Sequence, residues 1–231
     1  MWIDEEIFSE CQETLSIQVW RPQKTLVVLG NANRAELECH IENCEEDQVE
    51  ILKRCGGGGA VVLHTHCVVI GIGTWVHRLY DNGFYFQKIN QAVIESLHET
   101  WQEASQMEQR GYSDLCIAQK KVAGTSLFRS RNFLLYQASL LIKKEIQLIE
   151  RYLKHPSREP AYREGKSHRN FLTCLEDEWP KASVDSVLRT LKKHLPSHLN
   201  TQLRGEIIPP DLSQVNHILS KASGKSGERP L

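Results

Sequence analysis

Four consecutive glycines, Gly56–Gly59, stand between segments that read as β-strands, and this constrains the chain more than any other feature. Val49–Leu52 reads as a short strand leading into the run; Ala60–Leu63 and Cys67–Ile72 are β-branched apolar runs of the kind that build buried strands. Glycine backbone accepts φ > 0 and lets a ligand touch the main chain, and successive bare N–H groups can cradle an anion. Taken alone, four glycines suit a flexible loop equally well. Core strands on both sides, with Lys53 and Arg54 immediately before, favour a fixed turn that contacts a ligand. No Gly-Lys-Ser/Thr follows the run and no GxGxxG opens a helix, so neither nucleotide-loop pattern applies.

Leu15–Trp20 and Leu26–Leu29 read as strands around a turn at Arg21-Pro22-Gln23-Lys24, and 36–48 as a polar helix and surface loop. Phe86, Ile89, Val93, Leu97 and Trp101 recur at gaps of three and four, which predicts one long amphipathic helix over 84–109. Strands are expected at 114–118, 121–129 and 133–142, helices at 146–153 and 184–195, and an irregular basic stretch at 155–170. Strands and helices mix rather than alternate strictly, which favours α+β over a doubly wound sheet. One domain over 1–200 and a partly disordered C-terminal extension over 201–231 are expected, the final ten residues being Ser-, Gly- and Lys-rich.

A net charge of −1 provides no global field for nucleic acid or acidic membranes. The longest apolar run, Cys67–Ile72, is too short to span a bilayer, and the acidic start Met1–Glu6 does not read as a signal peptide. Seven cysteines, none in a CxxC pair, argue against a disulfide framework or zinc cage and for the reducing cytoplasm.

A second feature is Gln119–Ser126, where Lys121 lies within an otherwise apolar strand. Such a lysine either snorkels to water or faces a site. Gly124, three residues on, suggests a close backbone approach and supports the site.

Three segments together resemble the lipoate–protein ligase, octanoyltransferase and biotin–protein ligase superfamily, most of all the lipoate–protein ligase catalytic domain. Lys53-Arg54-Cys55-Gly56-Gly57-Gly58-Gly59-Ala60-Val61 resembles its "RR-x-GGG-A-V" lipoate-binding segment. Asp114-Leu115-Cys116-Ile117 followed by Lys121-Val122-Ala123-Gly124 resembles "D-I-x-V…K-I-x-G". Trp20-Arg21-Pro22 with Val27-Val28-Leu29-Gly30 resembles the opening "L-x-x-W-x-P…V-V-L-G". The likeness covers roughly 15–145, with a weaker continuation from Arg163 to Leu175.

The resemblance implies a central, mostly antiparallel sheet flanked by helices, as in the class II aminoacyl-tRNA synthetase-like biotin–lipoate ligase fold. It implies that Lys121 is catalytic and that Arg54, Gly56, Gly57, Gly58, Gly59, Ala60, Val61, Asp114, Gly124, Thr125 and Ser126 bind substrate or adenylate, with Arg54 pairing to phosphate. ATP with Mg²⁺ would activate lipoate or octanoate as an acyl-adenylate. The acceptor would be a lysine of an apo lipoyl domain of a 2-oxoacid dehydrogenase or of the glycine cleavage H protein. A separate accessory domain protein is a further possible partner.

The chain departs from the family pattern at Lys53, at Leu63 where a histidine often stands, and at Gln137-Ala138-Ser139 where His-Gly is common. An ATP-independent transferase would instead need a cysteine nucleophile and no cofactor. Cys55 and Cys116 are the foremost candidates, with Cys67 and Cys174 behind them. A non-catalytic lipoate-binding homologue is the third alternative. His64 and His66 are expected to face solvent rather than bind metal, and no metal site is expected. The basic residues Arg158, Arg163, Lys166, His168 and Arg169 are expected in a solvated loop, or as a docking surface for an acidic protein.

Overall fold

A computed structural model describes residues 5–179 and 181–226. Its strands are β1 (Leu15–Trp20), β2 (Leu26–Leu29), β3 (Glu50–Lys53), β4 (Val61–Leu63), β5 (Cys67–Trp75), β6 (Glu108–Arg110), β7 (Asp114–Ile117), β8 (Lys120–Ser130) and β9 (Phe133–Leu141). Six form an antiparallel sheet in the order β1-β5-β9-β8-β7-β6. The other three make a small sheet, β3-β2-β4, in which β2 runs parallel to β3 and antiparallel to β4. The α-helices are α1 (Glu5–Ser9), α2 (Ala35–Glu38), α3 (Ile41–Glu46), α4 (Asn82–His98), α5 (Ile146–Tyr152), α6 (His168–Phe171), α7 (Leu175–Glu178), α8 (Val184–Gln202) and α9 (Leu212–Ser226).

Strand β5 is buried along its whole length because both faces of the large sheet are covered. Val68, Ile70 and Ile72 share one core with Ile89, Val93 and Leu97 of α4 and Val187, Leu191 and Leu195 of α8. On the other face, Gly71 leaves the space that Ile7 of α1 fills: a Cβ there would lie 2.1 Å from Ile7 Cδ1. Val69 on that face packs with Leu26, Val28 and Leu63 of the small sheet.

The helix expected over 84–109 spans Asn82–His98. Asp81 caps it by accepting the Phe84 N–H at 3.2 Å. Beyond it the chain turns through a 3₁₀ segment, Gln102–Gln106, into β6, which pairs with β7. Trp101 keeps its buried place, stacked on Trp179 with centroids 5.9 Å apart, so the apolar spacing outruns the helix. Strand pairing at the sheet edge wins over helical periodicity there.

Helix α8 runs past the expected stop at Leu195 and through Pro196 to Gln202. An internal proline removes a backbone hydrogen bond, and here Leu199 and Leu203, both fully buried, hold the following turn to the core. Residues 212–226 form α9, which packs Val215 and Ile218 into a cluster with Ile7, Phe8, Trp75 and Phe133. Residues 227–231, the end of the stretch expected to be disordered, lie outside the described residues. Among the described residues no helix is long and apolar enough to cross a membrane.

Candidate active site

The glycine loop is framed by Arg54. This residue is 7% exposed, and its Nη2 donates to the carbonyls of Gly57 (2.6 Å) and Gly59 (2.9 Å). Nε also donates to Gly57 O at 3.2 Å, and Nη1 to Val28 O at 3.4 Å. The planar fork of donors thus ties the loop to itself and to β2. Gly58 has φ +92°, a conformation that disfavours a side chain. Its carbonyl packs so closely on Gly30 that a Cβ there would lie 2.1 Å from the oxygen. A Cβ on Gly56 would lie 2.9 Å from Ser126 Oγ. Gly57 and Gly59 differ: an added Cβ at either meets nothing within 4 Å, and both line a cavity. Packing explains the absence of side chains at 56 and 58; at 57 and 59 it leaves open space beside the backbone.

That cavity has a volume of about 460 Å³, in the range of small-molecule sites. Ala60, Val61 and Leu63 bound it from the small sheet, Val69 and Leu141 from the large one, and Leu153, Phe171 and Leu172 from the segments beyond β9. Gln137 and Ser139 add polar groups where the resemblance would place His-Gly.

Lys121 reaches the same cavity through an irregularity in β8. Leu115 pairs with Ala123 but Cys116 with Lys121, so one extra residue is accommodated on β8. Strict alternation would put Lys121 and Gly124 on opposite faces; the bulge brings them together. Lys121 Nζ lies 2.8 Å from Asp114 Oδ1, both side chains being largely buried. The Tyr162 hydroxyl donates to the other oxygen, Asp114 Oδ2, at 2.8 Å. Thr125 and Ser126 line the cavity as well. The Thr125 hydroxyl donates to Ser113 O at 2.8 Å, and Ser126 Oγ lies 3.4 Å from Gln137 Oε1.

The basic stretch expected to be a solvated loop closes one wall: Arg158, Arg163 and His168 all line the cavity. Arg163 is 5% exposed, with its guanidinium 4.7 Å above the Phe171 ring. Its Nε donates to Lys166 O at 3.0 Å, whereas Nη2 is buried and has no hydrogen-bond partner. Burial draws its pKa down, with Glu159 and Asp114 opposing the shift; a guanidinium stays charged regardless. His168 Nε2 lies 3.0 Å from Lys154 O, and burial lowers its pKa.

The candidate nucleophiles stand apart from this space. No cysteine lines the cavity, and all seven are buried and outside any disulfide. Cys55 points away from the loop into the cluster of Ile7, Phe8 and Phe128. Burial pushes Cys67 up to about 12 and also raises Cys116 and Cys174, which disfavours the reactive thiolate. Gly56 likewise does not line the cavity. The other expected substrate-binding residues do, together with Lys121.

The histidines separate as well. His64 was expected to face solvent, yet it is 2% exposed. Its Nδ1 accepts the His66 N–H at 3.3 Å, and its Nε2 is buried without a partner. Burial lowers its pKa to about 4. The more exposed His66 pairs with Glu145 at 2.9 Å. Among the described residues no three His, Cys, Asp or Glu side chains converge to hold a metal ion.

A lysine and a buried arginine on one cavity wall beneath a glycine loop define a site suited to an anionic, partly apolar ligand. Residues 1–196 match the lipoyl protein ligase A/B catalytic domain, and the chain belongs to that family. Solved structures agree on the fold. A bipartite lipoate protein ligase from Thermoplasma acidophilum, described with its E2 lipoyl domain, superposes with a TM-score of 0.71 at 19% identity over 99% of this chain and 92% of that one. A lipoate-protein ligase A bound with ATP gives 0.71 at 19% identity, over 97% and 89%. A T. acidophilum protein with bound lipoic acid gives 0.69 at 18% identity, over 95% and 88%.

Proposed function

We propose that this chain is a lipoate–protein ligase that activates lipoate or octanoate with ATP and passes the acyl group to a lysine of an apo lipoyl domain. The observation that carries the ATP-dependent form is a second cation on the cavity wall beside Lys121: buried Arg163, whose Nε pairs with Glu159 at 3.4 Å while Nη2 has no hydrogen-bond partner. A buried donor without a partner costs roughly 1–3 kcal/mol, which a phosphate oxygen would recover on binding.

In the first half-reaction a carboxylate oxygen of the acid attacks the α-phosphorus of ATP, the bond to the bridging oxygen breaks, and pyrophosphate leaves. Lys121 would lie between carboxylate and phosphate, reducing their repulsion and stabilising charge that develops in the transition state. In the second, the acceptor amine attacks the acyl carbon, AMP leaves, and the amine gives up a proton. The open faces of Gly57 and Gly59 would lie along the acyl chain and adenylate, with Ala60, Val61 and Leu63 around the chain. Mg²⁺ would enter with the triphosphate. Arg54 would act by shaping the loop rather than by meeting phosphate, since its guanidinium bonds the loop carbonyls.

The buried thiols weigh against a cysteine thioester. Seven cysteines, none in a disulfide, also suit the reducing cytoplasm. The test is mass gain of an apo lipoyl domain, taken from a 2-oxoacid dehydrogenase or the glycine cleavage H protein, incubated with the protein, lipoate, ATP and Mg²⁺. Modification that requires ATP is expected. Modification only from an acyl-carrier protein, abolished by a single Cys→Ala change, would establish a transferase. Lipoate binding with neither reaction would mean a binding homologue. A requirement for a second polypeptide would appear as activity restored by adding one.

A further inference from the structure

Asp114 is held at both oxygens, by Lys121 on one side and by Tyr162 on the other. Oδ1 lies 2.8 Å from Lys121 Nζ, and Oδ2 accepts the Tyr162 hydroxyl at 2.8 Å. A carboxylate pinned in this way cannot turn, so it fixes the ammonium with which it pairs. The pin comes from the basic stretch 48 residues away in sequence, and ties that stretch to the strand carrying Asp114.

We propose that Tyr162 is a positioning residue for the acyl-transfer reaction, acting on Lys121 solely through Asp114. The proposal rests on Lys121 as the reaction's cation.

Tyr162 is built to be rigid. Its ring packs on Phe171 with centroids 5.2 Å apart, and the Arg110 guanidinium stands 5.3 Å from its centroid. Gly111 lies so close that a Cβ there would come within 3.1 Å of Tyr162 Cε1. On its far side the hydroxyl oxygen is 3.5 Å from Cys116 Sγ. Burial and the neighbouring Asp114 raise the phenol pKa, and burial raises that of the thiol, so both keep their protons at neutral pH. Since the hydroxyl spends its proton on Asp114, Cys116 must donate to the hydroxyl. The chain therefore has one polarity: thiol to hydroxyl to carboxylate, with the ammonium donating from the other end. Cys116 is thereby the outer end of a hydrogen-bonded chain.

The test is a double-mutant cycle on the full chain with Tyr162→Phe, Asp114→Asn and both together. Two quantities are read: the single-turnover rate of pyrophosphate release with lipoate and ATP, and the rate at which a small amine-reactive ester labels Lys121, followed by peptide mass spectrometry. Tyr162→Phe is expected to slow pyrophosphate release about tenfold, leave KM for lipoate and ATP within about twofold, and speed labelling of Lys121. In the Asp114→Asn background it should change neither rate further. An equal effect of Tyr162→Phe in both backgrounds overturns the proposal, because Tyr162 would then act by another route. So does an unchanged rate of both processes in Tyr162→Phe alone. Should Tyr162→Phe prove unstable by thermal melting, Tyr162→Met, which likewise has no hydrogen-bond donor, replaces it in the same cycle with the same criteria. If Lys121→Ala keeps full activity while the labelling cycle remains non-additive, the catalytic reading of Lys121 fails and the Tyr162–Asp114 linkage stands.

Discussion

Lys121 folds back over Gly124: a Cβ built on the glycine would lie 3.2 Å from the lysine Nζ and 3.3 Å from Cε. Two residues three apart on a strand share a face only because β8 takes in an extra residue opposite Leu115 and Cys116. Gly124 is therefore the floor on which the ammonium rests. Gly124→Ala should displace the ammonium by a few tenths of an ångström, lowering pyrophosphate release about tenfold with little change in melting temperature. Gly124→Val should lower it further. Lys121→Ala should lower it about 10²–10³-fold or more while lipoate still binds, as removal of a transition-state charge partner does. Single-turnover kinetics beside a melting curve decide the matter; Lys121→Ala at wild-type rate would remove the lysine from the mechanism.

The four glycines of the loop divide into two experiments. Gly58→Ala forces a side chain onto φ +92° and against Arg54 Nη2 at 2.9 Å, and should cost about 2 kcal/mol or more. Gly30→Ala, facing the Gly58 carbonyl, should be at least as damaging. Gly57→Ala and Gly59→Ala meet no protein atom within 4 Å, so urea unfolding should find them within about 0.5 kcal/mol of wild type or slightly more stable. Their lipoate affinity should nevertheless drop measurably by calorimetry. Equal affinity at both positions would mean that no ligand approaches the loop.

Much of the fold and the centre of the site could be read from the chain itself, because they lie in contiguous segments. Gly56–Gly59, Lys121 and Asp114 each sit in a short motif whose local chemistry is visible without the fold. Tyr162 and Arg163 were not legible as site residues: a charged, proline-broken stretch resembles a solvated loop until the fold lays it over β7 and β8. The hydrogen bonding of Arg54 was hidden because its partners are backbone carbonyls, which every sequence contains. The surroundings of Cys55 were hidden for a similar reason. Its place beside the glycines and Arg54 made it a candidate nucleophile, but Ile7 and Phe8, some fifty residues earlier, pack in one buried cluster with it.

Arg163 makes the sharpest test of nucleotide use. Replacing the guanidinium by a neutral amide in Arg163→Gln keeps a polar head but removes the charge from the unpartnered Nη2 position. Charge-assisted hydrogen bonds are worth about 1.5–3 kcal/mol, so KM for ATP should rise about tenfold or more. The dissociation constant for lipoate, measured without nucleotide, should stay within about twofold. A parallel loss of both affinities would place Arg163 on the acid rather than on the phosphate.

His64 should make the fold acid-sensitive independently of the active site. Burial holds its folded-state pKa at about 4, below the unfolded value near 6.5. The unfolded chain therefore binds the proton more readily between these values. Stability is complete above about pH 6.5 and falls as pH drops toward 4, by on the order of 3 kcal/mol at most. His168, also lowered by burial, adds a slope of the same sign. In His64→Asn the amide oxygen stands near the position of Nδ1 and can accept the His66 N–H, while the titrating group is gone. Urea midpoints measured at pH 7, 5.5 and 4.5 should decline less steeply in this variant than in wild type, leaving the part due to His168 and to carboxylates whose pKa is lowered by their hydrogen bonds, such as Asp47 and Glu159. Parallel declines would show that His64 reaches water or a partner when protonated, and that its buried Nε2 is not the origin of the acid sensitivity.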